Sequence, residues 1–268
     1  MEKNIIPKTI HYCWFGGKEK PELVKKCIES WKKQLQDYNI IEWNESNFDV
    51  NMLEYTKQAY MKKKYAFVAD FARLWVLQKY GGIYLDTDVE VLKSLNCFLT
   101  DEMFCGFESP NGVNPGLVLG AKKEHPLFEE LMFFYKNNNF INENKVINTY
   151  TTVQNMTDVL RRHGLILNCN MTQRIDGIAI YPQITFCPDK NTRDSKRYSK
   201  ETYTAHHYMA SWMSPKRKER LKSPFWRLVY SILGKSGKLA RVILGEKRWV
   251  KIRNQYLSKL YDVSRGIK

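Results

Sequence analysis

The sequence predicts an α/β domain built on a largely parallel sheet. From residue 9 to residue 86, apolar β-prone segments alternate with segments whose apolar side chains recur at helical spacing. Glycine pairs mark where these segments change. The chain has 268 residues and is 43% hydrophobic, which is enough for one large domain with a real core. Alternation of strand and helix favours parallel strands joined by crossover helices.

The elements can be justified in order along the chain. "TIHYCWFGG" (9–17) begins as a buried first strand and stops at two glycines. Pro21 then opens a helix, because proline is well tolerated in the first helical turn. "YNIIEW" (38–43) reads as the next strand. The remaining predicted elements are helices at 51–63, 66–80 and 126–135, strands at 83–86, 103–108, 116–121, 178–182 and 203–209, and a polar loop at 189–202.

Charge divides the chain into two parts. Residues 215–268 contain 16 Lys and Arg against 3 Asp and Glu, a net charge of +13, whereas residues 1–214 contain 27 against 25. We therefore expect a domain over 1–214 and a basic, helical extension over 215–268. Short basic amphipathic helices suit an anionic membrane surface, although they could instead pack on the domain. No nucleic-acid-binding motif accompanies the charge, so a nucleic-acid partner is not expected.

Other sequence features limit the class of protein. No apolar run reaches the roughly 18–20 residues that span a bilayer, and the first residues lack the apolar core of a secretory signal. The six cysteines include no CxxC pair and are expected to be reduced. These features predict a cytoplasmic protein, peripheral on the inner face of the cell membrane if the extension binds lipid.

Two aspartates at the end of a predicted strand point to chemistry. In "GGIYLDTDVEV" (81–91), Asp86 and Asp88 are separated by one residue, so in an extended chain both side chains point the same way. Two like charges on one face repel unless a cation lies between them. Carboxylates there suit Mn²⁺ or Mg²⁺, which can also bind diphosphate oxygens. A solvated turn is the alternative for an isolated Asp-x-Asp.

The stretch "FVADFARLWVLQKYGGIYLDTDV" resembles the sugar-nucleotide region of glycosyltransferase family 32, and is similar to the catalytic core of the glucosylating clostridial toxins. The opening "IPKTIHYCWFGG" resembles the first strand of that family. The resemblance implies a GT-A fold, a nucleotide-sugar donor, a divalent metal and retention of anomeric configuration. Since members of the family generally use UDP-sugars, it also implies a UDP-linked donor. The matching positions are Asp70, Arg73, Gly81, Gly82, Tyr84, Asp86 and Asp88.

The resemblance also implies roles for individual residues. Trp14 matches the aromatic residue that packs on the base, and Asp70 and Arg73 match the pair that contacts the donor sugar. Asp86 matches the acid near the ribose and sugar, and Asp88 matches the acid that binds the metal most directly. Tyr84 falls in the same donor-binding set. Asp70 and Arg73 are three residues apart, so one side of a helix presents both.

Two further donor-site candidates lie later in the chain. Asn114 resembles a polar residue of the family near the donor sugar, with an Asn-Pro turn as the alternative. "TAHHYMASW" (204–212) resembles a closing segment in which a histidine completes the metal site, with Ser211 and Trp212 over the diphosphate. His207 aligns best as the ligand; His206, one residue earlier, is the alternative.

The sequence therefore predicts a metal-dependent retaining hexosyltransferase. Its acceptor would be a saccharide or a lipid-linked oligosaccharide in the synthesis of bacterial capsule or O-antigen. The alternative is a binding protein that keeps the fold without catalysis and associates with membrane or nucleic acid through its basic extension.

Overall fold

The computed structural model describes residues 4–143, 145–148, 150–188 and 198–209. The elements below belong to one compact unit, which within the described residues covers 4–142 and 148–209. The predicted boundary at residue 214 and the basic extension 215–268 lie outside the described residues, so both stay predictions.

The helices and strands follow one another in a mixed α/β order. They are β1 (Thr9–Cys13), α1 (Glu22–Gln34), β2 (Asn39–Trp43), α2 (Glu54–Met61), α3 (Tyr65–Tyr80), β3 (Gly82–Tyr84), β4 (Val89–Val91), a 3₁₀ turn (Asn96–Phe98), β5 (Met103–Ser109), β6 (Gly112–Val113), β7 (Leu119–Ala121), α4 (Leu127–Asn137), α5 (Thr152–Arg162), β8 (Gln173–Ile175), β9 (Ile178–Tyr181), α6 (Gln183–Phe186) and β10 (Thr204–His206).

The central sheet has the order β2-β1-β3-β7-β5-β9-β8, with β6 paired to β5. β1 is parallel to β2 and β3, and β5 is parallel to β9. β7 runs antiparallel to both β3 and β5, which gives β3 and β5 the same direction. Of the eight strands in the described sheet, β2, β1, β3, β5 and β9 therefore point the same way. The predicted α/β class with a mainly parallel central sheet is confirmed.

The Gly81–Gly82 turn feeds β3 into the middle of this sheet. Both glycines have positive φ, 65° and 104°, which L-residues with a side chain rarely adopt. A Cβ on Gly82 would lie 2.7 Å from the Thr9 carbonyl oxygen. Only glycine therefore lets the chain leave α3, turn sharply and pair with β1. This turn was predicted, and it sets where the chain after β3 emerges.

A buried histidine fixes the same turn. The Nε2 atom of His11 lies 2.9 Å from the Gly81 carbonyl oxygen, and the indole nitrogen of Trp43 donates to His11 Nδ1 at 3.1 Å. His11 is fully buried, and this burial lowers its pKa to about 4. A neutral imidazole with Nε2 protonated satisfies both contacts. His11 therefore joins α3, β1 and β2 as a structural residue.

Some elements depart from the sequence-based expectation. The segment predicted as a strand at 116–121 pairs only over Leu119–Ala121, and α5 and the short strands β4, β6 and β8 were not predicted. β4 and β10 form a separate two-stranded antiparallel sheet. Within the described helices, none combines the length and apolar character needed to cross a bilayer.

Candidate active site

The carboxyl end of β3 brings four chain segments together. Asp86 and Asp88 follow β3 directly, and Asp70 and Arg73 come from the middle of α3. The loop between β6 and β7 approaches from the next strand, since the Asp86 amide donates to the Gly116 carbonyl oxygen at 3.0 Å. β10 supplies His206. Ligands commonly bind at this edge of α/β sheets, so these residues define the candidate active site.

Arg73 is a buried cation held between two carboxylates. Its Nη2 atom lies 3.1 Å from Asp70 Oδ1 and 3.0 Å from Asp86 Oδ1, and its side chain is only 4% exposed. The guanidinium also lies 4.8 Å from the centre of the Tyr84 ring, a favourable cation–π distance. Burial raises the pKa of Asp70 to about 6, with Arg73 opposing the rise. Arg73 thus compensates the charge of the two acids and fixes their positions.

Asp86, Asp88 and His206 form a second group. One ligand atom from each lies within 4.8 Å of the others. His206 Nε2 is 3.0 Å from Asp88 Oδ1, and the Met209 amide donates to Asp88 Oδ2 at 2.6 Å. Burial raises the pKa of Asp88, but the contacts with His206 and the Met209 amide outweigh it and leave the pKa lowered. Asp88 is therefore kept as a carboxylate.

The structure reverses the expected order of the two histidines. His206, not His207, faces the aspartate pair, whereas His207 Nε2 lies 2.9 Å from Glu90 Oε2. The two imidazoles contact different carboxylates, as the alternation of side chains along a strand predicts. The alignment with the closing motif, however, assigned the aspartate-facing position to the wrong histidine. β10 ends at His206, and Tyr208 has a positive φ of 50°, so the chain turns immediately after the strand. The choice of His207 as the metal-facing histidine is therefore corrected to His206.

Gly116 and Asn114 shape the wall behind Asp86. The Gly116 amide donates to Asn114 Oδ1 at 2.7 Å, so the asparagine side chain holds its own loop. A Cβ on Gly116 would lie 2.1 Å from Asp86 Oδ2. The carboxylate of Asp86 thus occupies the space that any side chain at position 116 would need. This contact within the loop corresponds to the turn that was the alternative for Asn114, and its role near a donor sugar stays a prediction.

The other predicted donor-site residues are Trp14, Tyr84, Ser211 and Trp212, and their contact with a donor stays a prediction. Trp14 is half-buried just after β1, its indole nitrogen donates to the Lys18 carbonyl oxygen at 2.7 Å, and the Lys20 ammonium lies 5.8 Å from its ring centre. Tyr84 is buried beneath Arg73. Ser211 and Trp212 lie outside the described residues.

The three side chains Asp86, Asp88 and His206 fit a hard divalent cation. Two carboxylates and an imidazole are ligands that Mn²⁺ and Mg²⁺ accept, and the ligand atoms are close enough to share one ion. Among the described atoms, His206 Nδ1 and two guanidinium nitrogens of Arg73, Nε and Nη1, are buried without a hydrogen-bond partner. Buried polar atoms of this kind are costly unless a ligand or water satisfies them. Asp86, Asp88 and His206 would hold the metal, and Arg73 would keep donors free for an anion.

Sequence reasoning missed two contributors. Gly116 cannot be recognised from its neighbours in the sequence, because its importance comes from Asp86, which follows β3. The Met209 amide also acts through its backbone, so no side-chain pattern reveals it. The adjacent pair His206 and His207 was visible in the sequence. Choosing between them requires knowing that β10 ends at His206.

Comparison with known proteins is consistent with this geometry. Residues 21–105 match the family described as glycosyltransferase sugar-binding region containing the DXD motif. An uncharacterised glycosyltransferase of Acanthamoeba polyphaga mimivirus is 29% identical over 223 residues, which cover 78% of this chain and 84% of the viral protein.

Two fungal enzymes match over a shorter region. Inositol phosphoceramide mannosyltransferase 3 of Schizosaccharomyces pombe is 28% identical over 47% of this chain and 36% of its own length. A mannosyl phosphorylinositol ceramide synthase of Saccharomyces cerevisiae is 30% identical over 51% of this chain and 38% of its own length. This chain therefore spans little more than a third of these fungal relatives.

Solved structures give looser matches. The PaToxG glycosyltransferase superposes with a TM-score of 0.48 at 21% identity, covering 59% of this chain and 68% of that chain. A glycosyltransferase involved in glycosylation of the major capsid of PBCV-1 gives 0.44 at 17% identity, covering 75% and 93%. Together with the geometry of the site, the sequence matches support the assignment of this chain as a glycosyltransferase with a DXD-type sugar-binding region.

Proposed function

We propose that this protein is a metal-dependent retaining glycosyltransferase, similar to family 32, that transfers a hexose from a UDP-linked sugar. The observation that carries the proposal is the convergence of Asp86, Asp88 and His206 beside the buried Arg73. A diphosphate needs positive charge on its oxygens as the sugar leaves, and this site offers both a cation site and a guanidinium.

The residues of the site have two roles, binding of the donor and stabilisation of the leaving group. A bound Mn²⁺ or Mg²⁺ would neutralise charge that develops on the departing diphosphate. Arg73 is positioned by Asp70 and Asp86, and its partnerless Nε and Nη1 atoms can donate to phosphate or sugar oxygens. Trp14 offers an aromatic face to the base. Asp70, whose pKa is raised to about 6, can accept a hydrogen bond from a sugar hydroxyl.

The acceptor we propose is a lipid-linked or other saccharide, with synthesis of bacterial capsule or O-antigen as the biological setting. The two fungal relatives are named for inositol phosphoceramide and for mannosyl phosphorylinositol ceramide, which supports an acceptor on a lipid. The net charge of +15 supports a location on the inner face of the cell membrane, where anionic lipids attract basic proteins.

A panel of nucleotide sugars tests the donor. UDP- and GDP-linked hexoses are incubated with the protein and Mn²⁺, and release of free nucleotide and sugar is measured, together with the anomeric configuration of any transferred sugar. We expect release from a UDP-hexose that stops when Mn²⁺ is chelated.

Two matched variants make this test specific. Asp88→Asn should abolish release, since it removes a charged ligand, whereas Glu90→Gln alters the neighbouring carboxylate–histidine pair and should keep most of it. Donor binding without turnover for every sugar and acceptor tried would favour the inactive binding protein. An inverted product would refute retention.

A further inference from the structure

An uncharged apolar surface lies beside the candidate active site. Residues 164–173 and 177–188 contain no charged side chain, in a chain that is 26% charged. Four aliphatic side chains on these segments face solvent: Ile166 is 70% exposed, Met171 53%, and Leu167 and Ile184 40% each. These four residues are called the apolar edge patch below. Contiguous exposed apolar patches with a polar rim mark sites of protein or membrane contact, whereas isolated exposed apolar side chains do not.

Backbone contacts bring the two segments together. The Gln183 amide donates to the Cys169 carbonyl oxygen at 2.9 Å, which places α6 against the loop before β8. The side chain of Gln173 bonds both the amide and the carbonyl of Ile166, at 3.0 and 2.8 Å. The loop is thus held in a defined conformation with Ile166 at its surface.

Strand direction places this patch at the same edge of the sheet as the site. β9 is parallel to β5, which runs in the direction of β3, so α6 after β9 and Asp86 after β3 emerge at one edge. β8 is antiparallel to β9, so the loop that precedes it lies at that edge too. The Thr204 hydroxyl donates to the Phe186 carbonyl oxygen at 2.8 Å, which joins α6 to the strand that carries His206.

The surroundings of the patch favour a lipid surface as its occupant. Lys93 donates to the Lys200 carbonyl oxygen, and Thr202 in the same segment donates to the Ile184 carbonyl oxygen at 2.9 Å, so both lysines lie near α6. Arg174 follows the loop directly; its side chain is 65% exposed and pairs with the buried Asp101. Glu201 in the Lys200 segment is an exposed acid. Aliphatic side chains flanked by basic ones suit an anionic bilayer, whereas protein-binding hot spots are enriched in Trp, Tyr and Arg.

We propose that the apolar edge patch inserts into the interfacial region of an anionic bilayer and holds the site over a lipid-linked acceptor. The net charge of +15 draws the chain to such a surface, and the aliphatic side chains then enter it. This inference deepens the proposed function and rests on it for the acceptor. Contact with lipid is a separate, measurable event.

Site-specific fluorescence tests insertion in the full-length chain. Cys97, the exposed cysteine of the described residues, is replaced in a Cys97→Ser parent. Ile166→Cys is then labelled with an environment-sensitive fluorophore and mixed with vesicles of phosphatidylcholine and phosphatidylglycerol. Phe133→Cys on α4, 65% exposed, is the matched control. We expect a blue shift and quenching by spin-labelled lipid at position 166 and neither at position 133.

The outcomes separate the alternatives. Identical signals at positions 166 and 133 on vesicles that bind the protein would overturn the proposal, and so would a failure to bind vesicles. Self-association in the absence of lipid that Ile166→Asp abolishes would instead make the patch an interface between copies, which also overturns it.

A functional readout distinguishes this inference from the proposed activity. The double variant Ile166→Asp and Leu167→Asp should reduce transfer to a vesicle-embedded acceptor by at least about tenfold, because the two aliphatic side chains that would enter the bilayer are lost. Hydrolysis of the nucleotide sugar in solution should stay unchanged. Insertion at position 166 without any donor hydrolysis would refute the proposed activity and leave the lipid contact standing.

Discussion

Replacing Gly116 by alanine should damage the site without unfolding the protein. The new Cβ would lie 2.1 Å from Asp86 Oδ2, whereas ordinary contact begins at 3.4 Å. The carboxylate must therefore retreat by about 1.3 Å, away from the position in which it holds Arg73 and faces Asp88. A misplacement of about 1 Å in a catalytic site can cost about 100-fold in rate. We expect kcat for nucleotide-sugar hydrolysis to fall by about this factor.

Steady-state hydrolysis with Mn²⁺, accompanied by thermal unfolding, measures this effect. Gly164→Ala is the control: Gly164 has a positive φ of 102° and open space around its Cβ position, so that variant bears backbone strain without displacing a carboxylate. The control should keep its rate and lose stability, while Gly116→Ala should lose rate with little change in melting temperature. A Gly116→Ala rate within about threefold of wild type would refute the assigned position of Asp86.

Two further predictions concern stability. Arg73→Met should lower the free energy of unfolding by about 3–5 kcal/mol in urea titrations without metal, because Asp70 and Asp86 lose their buried cation; a loss under about 1 kcal/mol would contradict the pairing. His11 has a pKa lowered from 6.5 to about 4, so the unfolded state takes up its proton first as the pH falls. The stability that neutral His11 provides is present above pH 6.5 and should decrease by about 2 kcal/mol between pH 7 and pH 5. Urea titrations of His11→Gln should show a shallower decrease over that range, and parallel curves would contradict the assignment.

The sequence predicted what local spacing determines. Asp70 and Arg73 are three residues apart on one helix, and Asp86 and Asp88 follow the same strand, so their proximity depends on a few neighbouring residues. The Gly81–Gly82 turn was likewise predictable, because glycine adopts positive φ angles far more readily than other residues. These features account for most of the acidic cluster and for the first half of the sheet.

Features that depend on contacts between residues far apart in the sequence could not be predicted from local spacing. β4, β6 and β8 have two or three residues each, too few for an alternating pattern to show. The position of His206 depends on where β10 stops pairing with β4, and the role of Gly116 depends on Asp86. α5 is different, because Thr151 and Gln154 form a capping box. This pattern is local, so the start of the helix could have been predicted from the sequence.

We propose that Asp86, Asp88 and His206 bind a divalent cation that in turn binds a nucleotide diphosphate. Calorimetric titration of UDP with and without Mn²⁺, on wild type, His206→Gln and His207→Gln, tests it most directly. We expect Mn²⁺-dependent UDP binding in wild type, its loss in His206→Gln and its retention in His207→Gln. UDP binding that is indifferent to Mn²⁺, or that fails in His207→Gln and survives in His206→Gln, would contradict it.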